Sequence, residues 1–495
     1  MRRPMAKKVL AASMAAAMTM SVAACGETAA PAASTAEPVA EPASVEEVAP
    51  AEEEVDKYTV LKDANGDVYD LGGLEITIRD WFTADNYENP ADPKTDYEEA
   101  LQDYREWIQE KYNFKVHTVT MGDWGSGAQD FVDYVNNNGD DNYYVWAVHS
   151  GDGTLLSAAQ TGLCYDLSTL DCLDFNDKKY TDNNTHKLYS FNGGVFGMHT
   201  GPSEPRTGMY FNKRLLTEAG VDPDSIYDMQ ANDTWTWDAW EEILKQVQRD
   251  VDNDGTIDIR GFCCNDGVAT SAAVFSNNGM YVGQDADGNF TNEINNPNTV
   301  EALNWILDMF QKYDWAGENE DGTVGAWDFY QGQFKNGGAV FAVDQQYCAA
   351  PGNLWYDMED ELGFVMFPKG PNGKLMQTGQ DNVYVIPGCY DADKAWACAF
   401  AYDLWNEYVP GYEDFNPSVN STRTGNFDTR ACEETVPLMG ANATIELQTI
   451  IPNNDKFMND IFLYKIGPTT TETIAEILEN VTPIADEYIS AANAK

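Results

Sequence analysis

Histidine and positive charge are scarce in this chain. Its 495 residues hold four histidines (His117, His149, His186 and His199), and 30 Lys and Arg stand against 81 Asp and Glu. The formal charge of -51 makes nucleic acid and anionic membrane surfaces poor partners and favours a neutral or cationic ligand. Acidity on this scale also serves solubility and specifies nothing by itself. The sequence has no G-x-S-x-G elbow, no H-E-x-x-H, no phosphate loop and no Cys-His signature, so it carries no motif for catalysis. Paired carboxylates of the glycosidase kind stay open, because spacing along a chain cannot show two acids about 5–10 Å apart in space.

Long apolar runs are also lacking, apart from one near the start. Arg2, Arg3, Lys7 and Lys8 precede an Ala/Met/Val/Leu run too short to span a bilayer, and small residues then lead to Cys25. This pattern reads as a signal peptide over 1–24. Val22-Ala23-Ala24-Cys25 looks like a bacterial lipobox, which makes Cys25 the expected site of lipidation and the membrane the expected anchor. Loss of the four basic residues would take the formal charge from -51 to -55. From 25 to 57 the chain is rich in Ala, Pro and Glu and has no aromatic residue before Tyr58. Such a segment buries too little apolar surface to offset its ordering entropy, so it is expected to be a disordered acidic tether.

The remaining stretch, 58–495, is too long for one simple core and predicts about two to three globular units. It is dense in aromatics, the whole chain holding 13 Trp, 26 Tyr and 21 Phe. Cys164 and Cys172 are the nearest candidates for a disulfide, while Cys398, in Ala-Trp-Ala-Cys-Ala-Phe, sits like a small core residue. Leu74 to Ile78, Lys115 to Val119 and Tyr143 to Val148 read as strands, with helical stripes between them, which is the mark of a parallel, doubly wound α/β sheet. Past residue 207 the pattern resumes. Thr236 is the expected N-cap of a helix with Asp238 in its first turn, and later helices are expected over 298–312, 391–408 and 470–491. In the last of these, Ile474, Ile477, Leu478, Val481, Ile484 and Tyr488 fall at core spacing.

Four motifs in order carry a resemblance. They are Gly208-Met209-Tyr210-Phe211-Asn212-Lys213, Gly220-Val221-Asp222-Pro223, the Trp237-led helix and Gly261-Phe262. Further matches are Phe334 to Val340, Gly363 to Pro371 and Val383 to Pro387. The chain thereby resembles the extracellular solute-binding proteins of carbohydrate ABC transporters, the maltose-binding-protein-like group, over about 70–490. The resemblance implies an α/β, two-lobed periplasmic-binding-protein-like fold with discontinuous lobes and a hinge. One lobe would be 58–200 plus 363–408, the other 207–360 plus 410–495. The crossings would fall near His199 to Arg206, Glu361 to Gly363 and Val409 to Gly411.

A sugar offers apolar ring faces and hydroxyl edges, so its cleft needs flat aromatics and fixed polar groups. Open α/β sheets place ligand at strand C-terminal ends. Asp80, Trp81 and Asp85 follow the first strand, and His149, Ser150 and Asp152 follow the third. Glu204 and Arg206 lie in the first crossing, where the resemblance implies a carboxylate on the sugar. Across the cleft, Asp344, Gln345 and Tyr347 follow the strand Ala339 to Val343, with Tyr347 where relatives often stack a tryptophan. Asn265, Asp266, Asp455, Phe457 and Asp381, with neighbouring Gln380, align with further cleft loops. Trp327, Tyr281 and Trp355 are weaker candidates. Each of these residues is either a ligand contact or a satisfied loop or core group.

Asp250, Asp252, Asp254, Thr256 and Asp258 form D-x-D-x-D-G-x-x-D, with glycine at the sharp turn, the beginning of an EF-hand-like loop. Position 12 is Gly261 where an acid is expected. The alternatives are a structural Ca2+ and a solvated acidic turn. Taken together, the expected protein is a monomeric, lipid-anchored receptor on the outer face of the cytoplasmic membrane. It would capture a carbohydrate, an oligosaccharide by preference, and deliver it to ABC permease subunits, with no catalysis. The rivals are a receptor for a peptide or cation and a surface glycan-degrading enzyme.

Overall fold

The computed structural model describes residues 56–83, 93–149, 153–286, 288–315, 328–379, 382–451 and 465–493. Two units are separated, Met1–Lys57 and Tyr58–Lys495, and the fold below belongs to the second. Cys25 and the tether lie almost wholly outside the described residues. No described helix is long and apolar enough to cross a membrane.

Ten strands position the site: β1 (Leu74–Asp80), β2 (Phe114–Thr120), β3 (Tyr143–Val148), β4 (Thr207–Asn212), β5 (Arg260–Cys264), β6 (Ala339–Gln345), β7 (Leu362–Val365), β8 (Gln377–Gly379), β9 (Val383–Val385) and β10 (Ala443–Ile445). The first sheet has the order β9-β3-β1-β2. Its three early strands are parallel, as their alternation with helices predicts, and β9 closes the edge antiparallel to β3. The second sheet, β7-β4-β6-β5, is mixed, with only β5 and β6 parallel. A short parallel ribbon pairs β8 with β10.

Helices cover these sheets where local chemistry starts them. In α1 (Asp96–Lys111) the Thr95 hydroxyl accepts from Glu98 N at 3.1 Å, and in α3 (Trp237–Val247), after α2 (Gly127–Asn136), Thr236 accepts from Ala239 N at 3.2 Å. Each such cap is worth about 1 kcal/mol. The others used below are α4 (Asp266–Ser276), α5 (Pro297–Tyr313), α6 (Ala392–Trp405) and α7 (Ile474–Asn493). In α7 the expected stripe holds at Ile474, Ile477, Leu478 and Val481. Ile484 departs from it and is 42% exposed, because Ala485 and Ile489 carry the buried face onward.

Apolar burial sorts the unit into two lobes. One core runs from Met209 to Phe367 and returns with Leu375, Ala431, Met439 and α7. Two adjoining clusters, holding residues from Leu71 to Met198 and from Val383 to Trp405, make the other. Ile450 packs into the latter with Leu447 against it, whereas Ile451 joins the former.

The expected boundary at 363 is corrected by this packing. Strand β7 pairs antiparallel with β4, Phe364 facing Tyr210, so 363–379 belongs to the second lobe. The reason lies in two glycines. A Cβ at Gly208 would overlap the Phe364 ring and one at Gly363 the Phe211 ring. The middle crossing therefore falls between β8 and β9 and not at Glu361 to Gly363.

The outer crossings are tied together from the first lobe. Lys179, with a side chain 3% exposed, bonds Asp403 at 2.9 Å and Glu407 at 2.6 Å at the end of α6, while its carbonyl accepts from Gly201 N at 2.7 Å. A buried cation with two carboxylates resists separation, since breaking one pair leaves an uncompensated charge. All eight described cysteines are free thiols, so Cys164 and Cys172 do not pair: Cys172 instead lies 3.9 Å from the Trp396 carbonyl.

Candidate functional site

The first-lobe side of the site is built at the ends of β1 and β3. Asp80 is 3% exposed and its carboxylate is spent on the turn, accepting from Phe82 N at 3.1 Å, Thr83 N at 2.9 Å and the Thr83 hydroxyl. That turn presents aromatic rings. Trp81 lies edge-on to Phe82 at 5.4 Å and to His149 at 6.2 Å, and Trp124, between β2 and α2, lies 4.8 Å from His149. Phe82 is 51% exposed and Trp124 62% exposed. Burial, aided by the Arg206 guanidinium, holds the His149 imidazole at about 4, so it is neutral at physiological pH.

Phe82 and Trp124 are absent from the sequence-derived set. The same strand-end rule that selects Asp80 and His149 reaches both of them, since Trp124 follows β2 by four residues. Asp85, Ser150, Asp152, Gln380, Asp381, Asp455, Phe457 and Trp327 lie outside the described residues.

Glu204 and Arg206 occupy the first crossing as an ion pair. Buried Gln377, on β8, fixes their backbone: its Oε1 accepts from Arg206 N at 2.6 Å, and its Nε2 donates to Glu204 O and Met439 O, each at 3.0 Å. Gln346 N donates to Arg206 O at 2.8 Å, which draws the loop after β6 to the same place. The Arg206 charge acts on His149 and Tyr384 of the first lobe and on Tyr347 of the second. Its Nε is buried without a hydrogen-bond partner among the described residues.

In the second lobe Asp344, Gln345, Tyr347 and Asn265 line one cavity of about 240 Å³, together with Tyr330 and Trp355. Asp344 is buried, accepting from the Tyr330 hydroxyl at 2.5 Å and from Gln345 N at 2.7 Å, and desolvation raises its carboxyl above the usual range. Asn265 caps α4 through Oδ1, 3.1 Å from Gly267 N and 3.2 Å from Val268 N. Asp266 turns away toward Asp314 and Cys264, whose ligating atoms all lie within 4.8 Å of its own. Burial pushes Asp266 up to about 7. Trp355 is fully buried and Tyr281 packs within the second core.

The acidic loop between α3 and β5 brings Asp250, Asp252 and Asp254 within 4.8 Å of one another. Asp250 accepts from Asp254 N at 3.2 Å and Gly255 N at 2.8 Å, and Asp254 from Thr256 N at 2.7 Å. Asp258 is not gathered into this cluster: its Oδ2 accepts from Val251 N at 2.6 Å across the loop.

Two lobes whose strand ends carry aromatics on one side and a polar cavity on the other define a solute-binding protein. Residues 99–405 match the family of bacterial extracellular solute-binding proteins, and the chain belongs to it. No curated protein sequence matches the chain. Solved structures share its two-lobed fold. A cyclo/maltodextrin-binding protein complexed with maltotetraose is 13% identical, with 84% of this chain and 97% of that one covered at a TM-score of 0.56. An ABC substrate-binding protein from Listeria monocytogenes, in complex with cycloalternan, is 15% identical over 84% and 99% of the two chains, TM-score 0.54. UgpB from Mycobacterium tuberculosis, in complex with glycerophosphocholine, is 14% identical over 85% and 99%, TM-score 0.54. The family places the working site outside the cytoplasm, and its members bind solutes.

Proposed function

We propose that this protein is a lipid-anchored receptor that captures an uncharged oligosaccharide between its lobes and hands it to an ABC permease. The observation that carries the reading is the charge balance at the crossing: Arg206 is paired with Glu204, Asp80 is consumed by its own turn, and His149 is neutral. Among the described residues a net charge on the ligand would meet groups already paired or neutral, whereas ring faces find Trp81, Phe82, Trp124 and Tyr347. The sugars bound by two of the structural relatives support the same choice, and the glycerophosphocholine complex shows that the fold also serves other solutes.

Anchoring through Cys25 and a flexible tether would hold the cleft near one membrane and raise its effective concentration at the permease. Mass spectrometry of the membrane fraction tests the anchor: a diacylated peptide beginning at Cys25 is expected, and an unmodified Cys25 removes it. For the solute, the tether-free protein is screened by thermal shift against neutral glycans, peptides and polyamines. Stabilisation by glycans without release of reducing sugar supports the receptor. Stabilisation only by peptides or polyamines reassigns the solute, and turnover of the glycan replaces the receptor with an enzyme.

For the acidic loop we propose a structural Ca2+ held by Asp250, Asp252 and Asp254. The gathered carboxylates support it, and a melting temperature indifferent to both Ca2+ and chelator removes it.

A further inference from the structure

The second-lobe cavity is the wrong size for a whole oligosaccharide. At about 240 Å³ it falls below the roughly 300–1,000 Å³ of pockets that enclose drug-sized ligands. A space of that size suits one ring better than a chain of them. All of its described lining comes from one lobe, Asn265 to Trp355, so it does not need lobe closure to form.

Among the described residues, the polar side chains of the lining left with hydrogen-bonding capacity are neutral amides. Asp344, the one carboxylate among the described residues of the lining, already accepts from the Tyr330 hydroxyl and from Gln345 N. Three amides have capacity left. Asn265 uses Oδ1 as a helix cap, leaving Nδ2, and the side chains of Gln345 and Asn353 have no hydrogen bond among the described residues. Amides can both donate and accept, as a hydroxyl-bearing ring requires. Tyr347, 47% exposed, adds aromatic surface.

We propose that this cavity receives the terminal ring of a linear, uncharged oligosaccharide, so that the protein selects its ligand by a free chain end. The inference rests on the carbohydrate reading above. The rest of the chain would run past Tyr347 and Arg206 toward Trp124. Ring-closed or internally bound glycans have no end to insert and would lose this contact.

The test begins with maltotetraose, cellotetraose, xylotetraose and mannotetraose measured by calorimetry. The best binder is then compared with two capped forms, one bearing a bulky aromatic tag at its reducing end and one blocked at its non-reducing end. One capped form is expected to bind at least tenfold more weakly and the other to match the parent. Leu354→Trp, on a lining residue 39% exposed, should fill the cavity and weaken the parent at least tenfold at unchanged melting temperature. Asn265→Ser keeps a good N-cap while removing the amide and should weaken it several-fold. Equal binding by both capped forms, or full affinity in Leu354→Trp, overturns end selection while the carbohydrate reading stands. Failure of all four glycans overturns both.

Discussion

The two lobes meet the cleft with different chemistry. The first offers exposed rings, Phe82 and Trp124, around an imidazole kept neutral by burial and by Arg206. The second offers a preformed cavity of amides around buried Asp344, with the buried acids Asp266 and Asp314 elsewhere in the same lobe. A ring platform has no fixed register, whereas a cavity sets one. The contrast teaches that area and position can be divided between lobes, with the crossing at Glu204 and Arg206 holding them in line.

The largest expected effect breaks the link between the halves. Gln377→Ala would take from Arg206 N the side-chain acceptor it has in a buried position and would remove one donor each from Glu204 O and Met439 O. Unfolding in urea should show a loss on the order of 3 kcal/mol. A cost below about 0.5 kcal/mol would mean that the crossing is held by something else.

Next, Trp124→Ala should weaken glycan binding about tenfold, near 1.4 kcal/mol, with little change in melting temperature because the ring is mostly exposed. Tyr347→Ala is its counterpart in the second lobe. Calorimetry that finds only one of the two sensitive to truncation would place the stacking surface on that lobe alone.

pH separates the halves further. Asp266 is raised in the folded state to about 7, so its contribution to stability is fully present below its ordinary value and is lost as pH rises through 7. Asp266→Asn should therefore stabilise the protein at pH 8, on the order of 1–3 kcal/mol, and much less at pH 4. His149 is lowered, so its contribution is present above the ordinary imidazole range and is lost as pH falls toward 4. His149→Gln should flatten melting curves between pH 6.5 and 4 and leave them unchanged at pH 8. Parallel pH profiles for the two variants would erase the distinction. The smallest expected effect is that of Ca2+ on the acidic loop, a shift of a few degrees that Asp254→Ala should abolish.

Much of the scaffold was legible because it is written locally. Alternating β1, the cap Thr236 and the stripe of α7 each depend on residues within a few positions of one another. The site was legible through one rule, that ligands sit at strand ends. That rule brought Asn265, Asp344, Gln345 and Tyr347 to one cavity, and it also reached Trp124, which the sequence reading passed over. It could not say that Asp80 spends its carboxylate on its own turn, that Asp266 turns from the cavity toward Asp314, or that Asp258 stays apart from its loop partners.

The sequence by itself determined the elements, the family and the end of each strand at which to look. Tertiary structure decided which lobe owns 363–379, because only the packing of Phe364 on Gly208 and of Phe211 on Gly363 reveals the partner of β7. It also decided the charge state of the cleft. Desolvation and the pairing of Arg206 with Glu204 arise between groups brought together by folding, and no spacing along the chain encodes them.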